Sequence, residues 1–267
     1  NTIKDFRKNS QLILSMPCGT GKTFSSYLIS LNFTNILIVS PLREHTKQNL
    51  NKFKKFYDKY GNKKTFHLID SDKDGITDKD EINKLINSNN VVISTTYKSF
   101  LLFEDILKVN NFLIIIDEFH NLSSNMINDD ENTFNKILFN EKNKKLLLSA
   151  TPRIYDINDK YEFDGCPLNN RCKTTYNFSF NEAINDKIIC DYELYFPDFE
   201  DGYIDKIDYE QDIQFDDSEI RGKIDFLNIG FQQIGFRKII LYFTDTINLK
   251  IFERNYIRNN SALLTHR

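Results

Sequence analysis

Leu12-Ile13-Leu14-Ser15-Met16-Pro17-Cys18-Gly19-Thr20-Gly21-Lys22-Thr23 is the run on which the fold turns. Three apolar residues read as a short buried strand, a glycine-containing loop follows, and a helix-length stretch comes next at about residues 22–31. Strand, glycine loop, lysine, hydroxyl and helix, in that order, describe a phosphate-binding loop. The glycines let backbone N–H groups close around phosphate oxygens at a helix N-terminus, where the helix dipole already favours anions. In this reading Pro17, Cys18, Gly19, Thr20 and Gly21 form the cradle, Lys22 reaches the β- and γ-phosphates, and the Thr23 hydroxyl ligates Mg²⁺. ATP and Mg²⁺ are the cofactors implied. A glycine turn with an incidental lysine would use the same letters, but the flanking strand and helix favour the phosphate site. The general pattern has Gly where Met16 stands, and Cys18 is assigned to loop packing.

Outward from the loop, further apolar runs occur at Asn35–Val39, Phe66–Ile69, Val91–Ile93, Phe112–Ile116 and Leu146–Leu148. Continuous β-branched runs of this kind read as strands buried on both faces. Helix-length segments lie between them near 42–60, 78–87, 96–108 and 131–139. The alternation predicts an α/β, doubly wound parallel sheet with ligand chemistry at the carboxyl ends of its strands. The pattern breaks between Arg153 and Thr175 around Gly165 and Pro167, and residues 200–217 are acidic and loop-like. A helix near 217–234, a strand Lys238–Phe243 and a helix from about 246 to 258 begin a second, incomplete α/β unit. The expected organisation is therefore 1–152 as an ATP-binding domain, 153–235 as a crossover segment and 236–267 as the start of a second domain.

The most apolar strand runs into Asp117-Glu118-Phe119-His120. A carboxylate at the carboxyl end of a buried strand lies where a phosphate-bound metal would be. Asp117 is assigned to Mg²⁺ through its water shell, and Glu118 to polarising the water that attacks the γ-phosphate. Ser149-Ala150-Thr151-Pro152 closes the next strand and puts two hydroxyls on the same rim.

GTGKT, then PLREHTKQ, then DEFH, then SAT, in this order, resembles the first RecA-like domain of a superfamily 2 helicase of the DEAD/H type. MPCGTGKT and DEFHNLS look closest to the restriction-enzyme-like and large-DNA-virus branch, as does the tail Phe180-Asn181-Glu182-Ala183-Ile184 with Cys190-Asp191-Tyr192. The resemblance implies nucleic-acid backbone contacts from Pro41, Arg43 and Lys47 and from Thr95 and Thr96. It implies a role for His120, with Ser149 and Thr151, in coupling nucleotide state to a second domain. In that family ATP is hydrolysed between two RecA-like domains. The missing second one, with its arginine finger, would lie beyond the chain end, so poor ATPase activity is expected of these residues alone.

Composition sets the outer bounds. The chain has 267 residues, 35 Lys+Arg against 38 Asp+Glu and a net charge of −3, which disfavours nonspecific coating of nucleic acid. No apolar run reaches the ~18 residues of a membrane span, and residues 1–10 carry charge where a signal core would be apolar. Four cysteines without a C-x-x-C pair suit a reducing compartment. An intracellular setting is expected, cytoplasmic or nuclear, or a viral factory or virion, and the wealth of Asn, Lys and Ile points to an AT-rich source. Residues 43–64 are strongly basic, with Leu50, Phe53, Tyr57 and Tyr60 on one helical face and Lys52, Lys55 and Lys59 opposite in solvent. Asp70-Ser71-Asp72-Lys73-Asp74-Gly75 with Glu81 has the letters of a calcium loop. It follows a strand, and a β-to-α connection with Asp78 in the first turn accounts for it without Ca²⁺.

The function expected is an ATP-dependent helicase or translocase acting on DNA or RNA, without a membrane partner. The alternatives are the motor subunit of a restriction-type nuclease, and a nucleotide-dependent nucleic-acid-binding scaffold with no motor activity.

Overall fold

Backbone polar groups in a strand buried on both faces must be paired by neighbouring strands, and seven strands here meet that requirement in one parallel sheet. The computed structural model describes residues 6, 10–61, 63–70, 78–87, 89–122, 132–151, 175–192, 218–235, 241–243 and 246–259. These fall into two compact units, Asn1–Asp191 and Tyr192–Arg267.

In the first unit the order is β1 (Gln11–Ser15), α1 (Lys22–Ser30), β2 (Ile36–Ser40), α2 (Arg43–Lys59), β3 (Thr65–Ile69), α3 (Lys79–Asn87) and β4 (Val91–Thr96). A 3₁₀ turn (Ser99–Phe103), α4 (Glu104–Val109), β5 (Leu113–Asp117), a second 3₁₀ turn (Phe119–Asn121), α5 (Thr133–Phe139), β6 (Lys144–Ser149), β7 (Thr175–Asn177) and α6 (Phe180–Asn185) follow. The strands lie in the order β3-β4-β2-β5-β6-β1-β7, every pair parallel. This is the expected α/β, RecA-like architecture. The helix expected at 96–108 is divided into the 3₁₀ turn and α4, and Thr175–Asn177 adds an exposed edge strand beside β1.

Strand side chains alternate between faces, so each strand serves two cores. Leu12, Leu14, Ile36, Ile38, Leu113 and Ile115 pack against Tyr27 and Ile29 of α1 and Phe53 and Tyr57 of α2. Ile13, Leu37, Val39, Ile114 and Ile116 face the other way, onto α3, α4 and α5 through Ile82, Ile86, Leu107 and Phe134. Helices α1 and α2 therefore share one face, where Tyr27 meets Tyr57 edge-on with ring centroids 5.0 Å apart. On α2 the buried residues are Thr46, Asn49, Phe53 and Tyr57, whereas Tyr60 ends the helix half exposed.

The second unit contains α7 (Ser218–Ile229), a π turn (Gly230–Ile234) ended by Gly235 at φ 81°, and α8 (Thr246–Asn259). Ile224, Leu227 and Phe252 form its core with Phe243, Ile251 and Tyr256 packed on them. Of the strand expected at Lys238–Phe243, residues 238–240 lie outside the described residues and Leu241–Phe243 have no strand pairing. The irregular stretch around Gly165 and Pro167, the acidic stretch 200–217 and the calcium-like run at 71–77 also lie outside them. No helix among the described residues is long and apolar enough to cross a membrane.

Candidate nucleotide site

Because every strand runs the same way, the turns after β1, β2, β4, β5 and β6 collect on one edge of the sheet. The first carries the glycine loop. Gly19 and Gly21 adopt φ values of 84° and 98°, which a side chain would strain, and Gly21 is the N-cap of α1. The Thr20 hydroxyl donates to the Pro17 carbonyl at 2.7 Å, closing the loop on itself. Lys22 Nζ donates to the Met16 carbonyl at 2.9 Å, so the ammonium is held across the loop mouth. No acidic side chain occupies the first turn of α1, which leaves the positive end of its dipole for an anion. The Cys18 thiol is free and exposed.

At the end of β5, separated from β1 by β6, Asp117 is half-buried and Glu118 adopts the left-handed conformation, φ 51° and ψ 48°. That conformation costs a non-glycine residue about 1–2 kcal/mol, and the surroundings supply compensating bonds. The Tyr97 hydroxyl donates to the Asp117 carbonyl at 2.6 Å and lies 3.0 Å from the Glu118 carbonyl, which also receives Asn121 N–H at 2.9 Å and Asn121 Nδ2 at 3.1 Å. Tyr97→Phe removes the hydroxyl and leaves Tyr97's packing against Phe134 in place. It is expected to lower stability by about 1–2 kcal/mol in chemical denaturation.

Asp117 Oδ2 accepts a 2.7 Å hydrogen bond from Asn49 Nδ2 of α2. His120 Nδ1 is 2.8 Å from Ser149 Oγ and 3.4 Å from Glu118 Oε2, and Ser149 Oγ accepts the Thr151 N–H at 3.1 Å. Ser149 also joins the strand ends, since its carbonyl accepts the Met16 N–H at 3.0 Å. The residues around the glycine loop, the acidic turn and the hydroxyl rim are thus within one bonded neighbourhood.

A cleft of about 430 Å³ opens there, lined by Gly19, Lys22, Thr23, Asp117 and Glu118 on the loop and strand side and by a stripe of α2 opposite. The stripe is His45, Gln48, Asn49, Lys52 and Phe56. Lys52 is exposed, as expected from its place opposite the apolar face of α2, and it also stands on the cleft wall. Spacings of three and four along a helix are the signal that could have marked this second face of α2. A hydroxyl from Thr23 and a carboxylate from Asp117 are the hard oxygen donors that Mg²⁺ accepts, and it commonly takes one or two protein oxygens with substrate phosphates completing its shell. Among the described residues no group of three His, Cys, Asp or Glu side chains forms a self-sufficient metal site. The donor set therefore fits a Mg²⁺ ion carried with a phosphate ligand.

The residues expected to contact nucleic acid divide. Pro41 and Lys47 reach the surface, half-buried and exposed respectively. Arg43 Nε lies 2.6 Å from Asp70 Oδ2, so its charge is already opposed by a carboxylate that is itself buried. Thr96 Oγ1 is bonded to Ser99, 3.2 Å from its hydroxyl. Thr95 is fully buried, because β4 lies inside the sheet with both of its faces covered.

The DEAD/DEAH box helicase family profile matches residues 1–159. No curated protein sequence matches the chain. Among solved structures, a nuclease-deletion mutant of the Type ISP restriction-modification enzyme LlaGI, in complex with a DNA substrate mimic, is similar over 86% of this chain with 19% identity and a TM-score of 0.50. This chain spans 22% of that one. The helicase domain of Pyrococcus furiosus Hef aligns over 58% of this chain and 33% of its own, at 16% identity and TM-score 0.43. The DUF1998 helicase MrfA bound to DNA aligns over 56% of this chain and 23% of its own, at 17% identity and TM-score 0.40. The matched stretch covers more than half of the sequence and contains the glycine loop, the acidic turn and the hydroxyl rim, and the chain belongs to the DEAD/DEAH box helicase family.

Proposed function

We propose that this chain is the nucleotide-binding part of an ATP-dependent helicase or translocase, hydrolysing ATP to ADP and phosphate in support of movement on DNA or RNA. The observation that carries the reading is the single cleft onto which Lys22, Thr23, Asp117 and Glu118 all open. The loop N–H groups and Lys22 bind and orient the β- and γ-phosphates, and Thr23 and Asp117 would hold Mg²⁺. When bound, that ion neutralises charge that builds on the phosphates. Glu118 takes a proton from the attacking water, and the left-handed turn fixed by Tyr97 presents its carboxylate to the cleft. His120, Ser149 and Thr151 form the rim through which the state of the phosphates reaches a second RecA-like domain, which is needed for full turnover. The site is intracellular in this reading, and a viral source belongs to the same proposal.

The experiment is a comparison of ATP hydrolysis without nucleic acid and with single-stranded DNA, duplex DNA or RNA. Stimulation by at least one of them is the expected result, and a flat response across all three would favour the non-motor scaffold. Binding of the stimulating strand should weaken with salt, and Lys47→Ala should reduce the log–log slope by about 0.7 for one lost phosphate contact on a single strand. A second reading, the motor subunit of a restriction-type nuclease, is favoured by the reach of the LlaGI likeness through 86% of this chain. Detection of a nuclease domain on the same polypeptide would select it.

A further inference from the structure

We propose that Asn49 is a positioning residue that sets the direction of the Asp117 carboxylate toward the metal. This rests on the nucleotide-site reading above. Asn49 lies on the inner side of α2 and is 8% exposed. Its Nδ2 donates to Asp117 Oδ2 at 2.7 Å and lies 3.1 Å from Ser40 Oγ at the end of β2. The orientation of the amide follows from chemistry, since an ionised carboxylate only accepts hydrogen bonds and the nitrogen must face it.

A short aspartate at a strand end has a nearly free terminal torsion, and its oxygens exchange places easily. The bond from Asn49 removes that freedom by committing Oδ2 to the protein, and because Asp117 lines the cleft, Oδ1 is assigned to the metal side. Tyr97 fixes the backbone of the same residue through the Asp117 carbonyl at 2.6 Å. Backbone and side chain are thus both set before any ligand arrives. Asn49 also stands on the cleft wall, between Gln48 and Lys52, so the helix that begins at Arg43 touches the metal-side carboxylate directly. Partners that orient a metal-holding group are worth roughly 10–100-fold in metal affinity.

The test uses a fluorescent ADP titrated into the chain first in EDTA and then at rising Mg²⁺, in wild type, Asn49→Ala, Asn49→Leu and Asp117→Asn. Leucine keeps the shape of asparagine without the donor, so it separates the lost hydrogen bond from the cavity that alanine opens. The expected result is EDTA affinity within about twofold of wild type for both Asn49 variants, with the Mg²⁺ midpoint raised roughly tenfold. An unchanged midpoint in both, while Asp117→Asn raises it, would overturn the role of Asn49 and leave the site reading standing. If Asp117→Asn also leaves the midpoint unchanged, the site reading and the proposal fall together. Equal losses with and without Mg²⁺ in both Asn49 variants would show that the residue only anchors α2 through Ser40, which overturns the proposal as well.

Discussion

Glu118→Gln is expected to leave ATP binding within about twofold of wild type and to slow hydrolysis by on the order of 10²–10⁴. The substitution keeps the size and the hydrogen-bonding reach of the side chain and removes only its ability to accept a proton. At about 1.4 kcal/mol per decade, this amounts to roughly 3–5 kcal/mol of barrier. The geometry explains why so much should depend on one carboxylate. Glu118 turns into the left-handed region at the end of β5, its side chain is about three-quarters covered, and Oε2 lies 3.4 Å from His120 Nδ1. A group exposed to bulk water could be replaced by solvent as a base, whereas this one is held in the cleft. The measurement is single-turnover hydrolysis with the best stimulating nucleic acid present. Unimpaired turnover in the Glu118 variant would sink its role, and a parallel loss of binding would instead indicate that the turn itself had collapsed.

How far such a site can be read before folding depends on whether its contacts are local. The glycine loop and the acidic turn are contiguous in sequence, and each chemical group has its meaning from immediate neighbours, so both were legible. The strands were legible as apolar runs, but their ends were not. β6 begins at Lys144 and Lys145, and a fully buried lysine does not announce a strand. Lys145 is accommodated because its Nζ donates to the Asn140 carbonyl, while burial pushes its pKa down to about 8. β4 likewise continues through Ser94, whose buried hydroxyl donates to the Thr46 carbonyl at 3.0 Å. On α2 an amphipathic pattern locates Phe53 and Tyr57 correctly and puts Tyr60 on the same side, where it stacks on Tyr27 at 5.8 Å while half exposed, but it passes over Asn49 and Thr46 because they are polar. Their burial is licensed by partners far away in the chain, as with Asn49 and Asp117, and no local window contains both halves of such a pair. The same is true of Tyr97, whose hydroxyl contacts the carbonyls of Asp117 and Glu118. Arg43 is a further long-range case, since a motif marks it and its partner in the fold, Asp70, lies outside any local window.

Lys22→Ala is expected to abolish detectable hydrolysis and to weaken ATP binding by about 10–100-fold or more. The lower figure follows from the ~1.5–3 kcal/mol of a hydrogen bond to a charged group, and the loss grows because the triphosphate is left with one fewer compensating charge. Lys22 Nζ rests on the Met16 carbonyl at 2.9 Å, and that same bond keeps it over the loop mouth. Arginine would not restore it, because a planar fork is bulkier than an ammonium point charge and cannot enter a loop closed by backbone N–H groups. The unliganded fold should survive, since Ser26 and Gly21 keep their helix bonds and the two hydrophobic cores lie away from Lys22. Thermal unfolding provides the decisive reading. Saturating MgATP at about 100 times Kd should stabilise the wild type by ~2.7 kcal/mol and raise its Tm, and the variant at the same concentration should show little of this rise. If MgATP protects the variant as strongly as the wild type, the ammonium has no part in holding the triphosphate, and the glycine loop must bind by its backbone alone.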